Sequence, residues 1–83
     1  MAFKVTYKAS VEKDLAALPK AEMKRILEKI ERQLRSTPEK CPLLKGRFAG
    51  LRKLRVGDYR IVFAITGKDV LILRIGNRKD VYR

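Results

Sequence analysis

The chain has 83 residues, with 21 lysines and arginines against 9 aspartates and glutamates, one cysteine, no histidine and a formal net charge of +12. This length favours a single domain over residues 1–83, the lone cysteine excludes an intrachain disulfide, and no apolar run approaches the roughly 18 residues that a membrane span needs. A net charge so far from zero favours a polyanionic partner. Because the chain has no histidine, any acid–base chemistry near neutral pH must use carboxylate, lysine, tyrosine or arginine groups.

The first part of the chain predicts a strand followed by a helical hairpin. "FKVTY", at residues 3–7, alternates apolar and polar side chains, as a half-buried strand does. Ser10 is a candidate cap for a first helix, and Pro19 either ends this helix or starts the next one. The second helix, over about 21–35, carries an apolar stripe at spacings of three and four residues, formed by Met23, Ile26, Leu27, Ile30 and Leu34. The amino-terminal stretch lacks the features of a secretory signal, so we expect a cytoplasmic protein.

The segment "STPEKCPLLKGRFAG", at residues 36–50, predicts a connecting loop because it combines prolines and glycines without a period. Lys45 and Arg47 in this loop either contact phosphate or are solvated loop cations. Cys41 is expected to be a packing residue.

Three strands follow, over about residues 50–56, 59–65 and 70–75. Gly57 and Asp58 separate the first two, and a two-residue turn sets their register, with Val56 opposite Tyr59 and Lys53 opposite Val62. The turn "TGKD" before the third strand leaves its register open. "VLILRI" is apolar on both faces, which suits a central strand. Gly76 is expected to release the chain from this strand.

The predicted register places positive charges together on one face of the hairpin. Leu54, Val56, Ile61, Phe63 and Ile65 share the core face, whereas Lys53, Arg55 and Arg60 share the other. Arg55 then lies opposite Arg60, where like charges repel. A phosphate or a developing phosphorane gains from such fixed cations, and the alternative is a solvated basic face. Arg74 either joins this cluster or extends to the sheet edge.

Two segments carry a family resemblance. After the helical hairpin come "PLLKGRFAGLRKLRVGDYRIVFAI", at residues 42–65, and a closing "RIGNRKDVYR", at residues 74–83. Together they resemble the RelE family of bacterial and archaeal toxins, within the RelE/ParE superfamily, over nearly the whole chain from Phe3 to Arg83. The resemblance implies an α+β fold, in which an N-terminal strand and a helical hairpin pack on a small, mostly antiparallel, twisted sheet.

The resemblance also implies a function and its residues. Relatives of this kind enter the A site of the 30S ribosomal subunit and cleave mRNA there with lysines and arginines of the central strands, an arginine after the last strand and a tyrosine near the C-terminus. The matching catalytic residues are Lys53, Arg55, Arg60, Arg78 and Tyr82. The alternation of side chains along a strand favours Lys53 over the adjacent Arg52 as the catalytic residue, because Lys53 shares the face of Arg55 and Arg60. The expected RNA-binding residues are Lys45, Arg47, Arg52, Asn77 and Lys79. Asn77 stands where many relatives carry histidine, so a proton-transfer or stacking role of that histidine does not carry over.

RNA supplies its own nucleophile, the 2′-hydroxyl, so we expect no metal or other cofactor. Tyr82 is the first candidate for general base, because nearby guanidinium groups favour the phenolate, and Lys53 is the alternative.

The expected partners are a RelB-type antitoxin, the ribosome and mRNA, with operator DNA bound only through the antitoxin complex and no membrane. Two other functions compete with the ribosome-dependent nuclease: a ParE-like inhibitor of DNA gyrase and a non-catalytic, basic RNA-binding module.

Overall fold

The computed structural model describes residues 3–77, apart from the side chain of Arg47. Two helices pack on one face of a four-stranded sheet, so the α+β class is confirmed. The helices are α1 (Ala9–Ala16) and α2 (Lys20–Lys29), and a π-helical stretch, Ile30–Leu34, continues α2. The strands are β1 (Lys4–Tyr7), β2 (Arg52–Val56), β3 (Tyr59–Thr66) and β4 (Asp69–Asn77). No helix in residues 3–77 is long and apolar enough to cross a lipid bilayer.

The sheet has the order β1-β4-β3-β2, with β1 parallel to β4 and the other neighbours antiparallel. Strand β4 is therefore central, as its apolar pattern predicts. The predicted register of β2 and β3 is confirmed, with Arg55 opposite Arg60 and Lys53 opposite Val62. Thr66 pairs with Asp69 across the second turn, where Gly67 has a φ of 62° that suits glycine.

The core lies between the helices and one face of the sheet. Its fully buried side chains include Phe63, Ile61 and Ile72 from the strands, together with the helical stripe residues Ile26, Ile30 and Leu34. Cys41 is buried at the edge of this core and acts as the predicted packing residue. The loop between α2 and β2 contains two short 3₁₀ turns, Pro38–Lys40 and Gly46–Phe48, and an isolated bridge between Leu43 and Arg52.

Two predictions about element ends are wrong. Ser10 does not cap α1, because the helix begins at Ala9 and Lys8 occupies the cap position without a side-chain hydrogen bond. Gly76 does not release the chain from β4, since Gly76 pairs with Arg60 and Asn77 pairs with Tyr59. Pairing with β3 thus outweighs the weak strand preference of glycine. A bulge between Val62 and Phe63 shifts the register along this pair.

Helix α1 covers the edge of β4 that β1 leaves open, because β1 pairs with β4 only as far as Ile72. The Ile75 N–H donates to Asp14 Oδ2 at 3.1 Å. Asp14 thereby supplies the acceptor that a further strand would otherwise provide.

We expect Asp14→Ala to lower the free energy of unfolding by about 1 to 2 kcal/mol, since a hydrogen bond to a charged group is lost and a strand N–H loses its acceptor. Asp14→Asn keeps an acceptor oxygen and should cost less. Urea denaturation measures both, and Glu12→Gln in the same helix is the control. Equal losses for all three variants would contradict this role of Asp14.

Candidate RNA-cleavage site

The face of the sheet that points away from the helices carries the cations. Across three strands, the register aligns Lys53 of β2, Val62 of β3 and Arg74 of β4, and it aligns Arg55, Arg60 and Gly76 in the next row. Three of these four cations are the strand residues that the sequence predicts to be catalytic. We call Lys53, Arg55, Arg60 and Arg74 the cation face.

Arg55 and Arg60 form a non-hydrogen-bonded antiparallel pair, the type in which the two Cα atoms are closest. The Lys53 N–H donates to Pro42 O at 3.1 Å, so this N–H points away from β3 and the pair of Lys53 with Val62 is non-hydrogen-bonded. Two residues along, Arg55 and Arg60 form the same type of pair, with Cα atoms about 4.5 Å apart. At about 5 Å and an effective dielectric constant near 20, two unit charges repel by about 3 kcal/mol before screening.

The side chain of Arg55 turns away from that repulsion. Its Nε donates to Gly57 O at 3.1 Å, and the side chain is exposed. The guanidinium therefore lies toward the hairpin turn and not over Arg60. Because the hydrogen bond to Gly57 is accessible to solvent, exchanging it for water and rotating the guanidinium back to the cation face costs little.

The side chain of Arg60 has a different environment from that of Arg55. Its Nη1 atom is buried and has no hydrogen-bond partner among the described residues. The neighbouring Val62 is also buried, at 4% exposed, although it lies on the face without helices. The centre of the cation face is thus partly closed to water. A buried guanidinium nitrogen without an acceptor is costly, and an arriving phosphate oxygen supplies that acceptor.

Arg52 differs from its neighbour Lys53. Its Nη1 donates to Cys41 O at 2.7 Å and to Glu39 O at 3.0 Å. The guanidinium therefore fastens the loop before β2, and sequence reasoning missed this structural role. Lys53 shares the face of Arg60, whereas the Arg52 side chain faces the loop, and the catalytic role of Lys53 stays a prediction.

We expect Arg52→Ala to lower the free energy of unfolding by about 1 to 3 kcal/mol, because two backbone carbonyls lose a charged donor. Arg52→Lys should recover only part of the loss, since an ammonium group does not reproduce the guanidinium geometry. Thermal unfolding measures both variants, with Lys45→Gln in the same loop as the control. A stability equal to wild type for Arg52→Ala would contradict the fastening role.

Arg74 lies on the β4 side of the cation face, whereas Asn77 pairs with Tyr59 and therefore points to the face that carries the helices. Both line a cavity of about 360 Å³ between α1 and the end of β4, together with Lys13, Asp14 and Tyr59. Lys45 is exposed in the loop before β2, and of Arg47 only the backbone is described. Arg78, Lys79 and Tyr82 lie outside the described residues, so their predicted roles stay predictions.

Tyr7 and Cys41, two groups with a shifted pKa, lie on the core side of the sheet. Burial raises the pKa of the Tyr7 hydroxyl, the charge of Glu31 raises it further, and Arg35 opposes them. Burial also raises the pKa of the Cys41 thiol, against the opposing charge of Arg52. Neither group lies on the cation face, and neither is activated as a nucleophile.

Comparison with known proteins gives one family and a set of similar structures. The sequence profile described as "ParE toxin of type II toxin-antitoxin system, parDE" matches residues 5–82. No curated protein sequence gives a significant match. The toxin–antitoxin complex RelBE2 from Mycobacterium tuberculosis contains a similar chain, with a TM-score of 0.88 and 26% identity over 96% of this chain and 95% of that one.

Two further structures represent both branches of the superfamily. The archaeal RelE–RelB complex from Pyrococcus horikoshii has a TM-score of 0.74 and 31% identity, covering 98% of this chain and 100% of that one. The chromosomal ParDE system from Pseudomonas aeruginosa has a TM-score of 0.74 and 18% identity, covering 92% and 96%. At 18% identity the likeness concerns the fold alone, and that fold is common to both branches.

Proposed function

We propose that this chain, which belongs to the ParE toxin family of type II toxin–antitoxin systems within the RelE/ParE superfamily, is a ribosome-dependent endoribonuclease that cleaves mRNA in the A site. The observation that carries the proposal is Arg60, whose buried Nη1 has no acceptor among the described residues, on a face where Lys53 and Arg55 also lie. A gyrase inhibitor has no need of such a cluster, whereas phosphodiester cleavage does.

The reaction begins with attack of the 2′-hydroxyl on the adjacent phosphorus. The bond from phosphorus to the 5′-oxygen breaks, which leaves a 2′,3′-cyclic phosphate and a free 5′-hydroxyl. Arg60, joined by Arg55 after rotation from Gly57, holds the nonbridging oxygens as negative charge develops there. Tyr82 takes the proton of the 2′-hydroxyl, with Lys53 as the alternative base. Arg78 stabilises the departing 5′-oxygen, which takes up a proton from water to become the 5′-hydroxyl.

The ribosome completes this site. Each general acid or base contributes roughly 10² to 10⁴ in rate, which is modest for an enzyme. Holding the mRNA in a reactive geometry contributes several kcal/mol more. Lys45, Arg47, Asn77 and Lys79 are proposed to contact RNA around the site, and affinity should then depend strongly on salt.

A RelB-type antitoxin is the proposed regulator. Structures of relatives from Pyrococcus horikoshii and Methanococcus jannaschii are complexes of RelE with RelB. An acidic, partly disordered antitoxin that folds on this basic chain would neutralise the cation face and exclude RNA from it. Operator DNA would then be bound through the antitoxin, and the complex would act in the cytoplasm.

Inhibition of DNA gyrase is the second candidate, and the match to the ParE family profile favours it. Two assays on one preparation separate the candidates. Programmed ribosomes are incubated with the protein and the new mRNA 5′ ends are mapped, while supercoiling by gyrase is measured in parallel. We expect A-site cleavage and unchanged supercoiling, and inhibited supercoiling with intact mRNA would overturn the nuclease proposal.

A further inference from the structure

A second group of cations lines a groove between α2 and the turn end of β2. The groove has a volume of about 320 Å³. Its lining combines four cations with one carboxylate and two residues of the hairpin, namely Arg25, Lys29, Arg32, Arg55, Glu28, Val56 and Gly57. We call it the α2 groove. Arg55 lies where the α2 groove meets the cation face. The other three cations lie on α2 and its π-helical continuation.

The helix and the turn place these cations together. Arg25 and Lys29 are four positions apart on α2, so they share one face of the helix. Arg32, in the π-helical stretch that follows, lines the same groove. The hairpin turn comes close to that face at Gly57, whose φ is 60°. A Cβ built on Gly57 would lie 2.5 Å from Arg25 Nη2, so glycine gives the guanidinium room against the turn. The side chain of Arg25 therefore contacts the hairpin turn across the groove.

Its charge is only partly neutralised. Arg25 pairs with Glu22 at 3.5 Å. Among the described residues, no carboxylate lies within 4 Å of the charged nitrogens of Lys29, Arg32 or Arg55. Glu28 is the single acidic residue of the lining, so the groove carries a surplus of positive charge. Binding an anion there removes repulsion among groups that the fold already holds together.

The lining favours phosphate over an acidic peptide. Guanidinium groups match phosphate oxygens with paired hydrogen bonds. A peptide partner gains most of its affinity from apolar anchors in pockets, but Val56, the apolar side chain of this lining, is 8% exposed. We propose that the α2 groove holds backbone phosphates of a structured RNA, as an anchoring site separate from the strand that is cut.

Two charge-matched double variants test this proposal. Lys29→Gln with Arg32→Gln removes two groove cations, and Lys20→Gln with Lys24→Gln removes two exposed cations from another face of the same helix. Glutamine has a helix propensity close to that of lysine and arginine, so both variants should fold. Binding of a fluorescently labelled RNA hairpin is followed by anisotropy between about 50 and 200 mM salt.

The groove variant should bind the hairpin about tenfold more weakly, and its plot of log affinity against log salt should be shallower by about 2, one for each phosphate contact. The control variant should change far less. Equal weakening in both variants would overturn the proposal, because only net charge would then matter. Unchanged RNA binding in the groove variant would also overturn the proposal. If that variant binds an acidic partner protein more weakly, the groove is a protein-binding site instead. The assay involves no cleavage, so its outcome is independent of the nuclease test.

Discussion

Arg60→Ala should reduce ribosome-dependent mRNA cleavage by a factor of about 10² to 10³ while leaving the melting temperature unchanged or raised. The rate loss has the size found when one preorganised donor to a developing negative charge is removed. Arg60 is the candidate for this donor because its buried Nη1 has no acceptor among residues 3–77. Single-turnover cleavage on programmed ribosomes and thermal unfolding are the two measurements.

The expected stability has a physical reason. Truncation removes the repulsion between Arg60 and Arg55, and it removes a buried polar atom that has no acceptor within the described part of the chain. It also removes the aliphatic stem of Arg60, which works in the opposite direction. Arg60→Met keeps most of that stem without charge, so it should be at least as stable as wild type and as inactive as Arg60→Ala.

Arg60→Lys separates charge from geometry. It keeps the positive charge but not the paired donors, and we expect an intermediate rate. Destabilisation of Arg60→Met by more than about 1 kcal/mol would indicate a structural role for Arg60, since surface changes without such a role stay within about 0.5 kcal/mol. Full cleavage activity in Arg60→Ala would remove the main support for the nuclease.

The fold was predictable where local chemistry determines it. Gly57 and Asp58 leave only a two-residue turn, and that turn sets the register and both faces of the hairpin. The helical stripe of Ile26, Ile30 and Leu34 identifies the buried face of α2. The end of β4 was not predictable in this way, because Gly76 and Asn77 stay in the strand only through pairing with β3.

The strand part of the candidate site was predictable as a set of positions but not as a set of side-chain directions. Strand parity places Lys53, Arg55 and Arg60 on one face, and the structure agrees. The turn of Arg55 toward Gly57 depends on a carbonyl that becomes available only when the hairpin closes. The α2 groove escaped prediction for a similar reason, since Lys29 and Arg32 have the pattern of a solvated helix face until β2 packs beside them.

Tyr82→Phe should lower the cleavage rate by a factor of about 10² to 10⁴, the range for loss of a general base, while the melting temperature stays within error. The substitution removes one hydroxyl group and keeps the aromatic ring, so a loss of rate reports on the hydroxyl alone. This prediction depends on the family resemblance of the closing segment "GNRKDVYR". Tyr7→Phe is the matched control, because it makes the same chemical change at a tyrosine packed against the core.

The result also decides between the two candidate bases. If Tyr82→Phe cleaves as fast as wild type, the phenol does not take the proton, and Lys53 is the remaining candidate among the assigned residues. Lys53→Arg then keeps the positive charge but cannot lose its proton near neutral pH, so it should abolish cleavage only if Lys53 is the base. If Tyr82→Phe is inactive and Lys53→Arg retains most of its activity, Tyr82 is the base and Lys53 contributes charge alone.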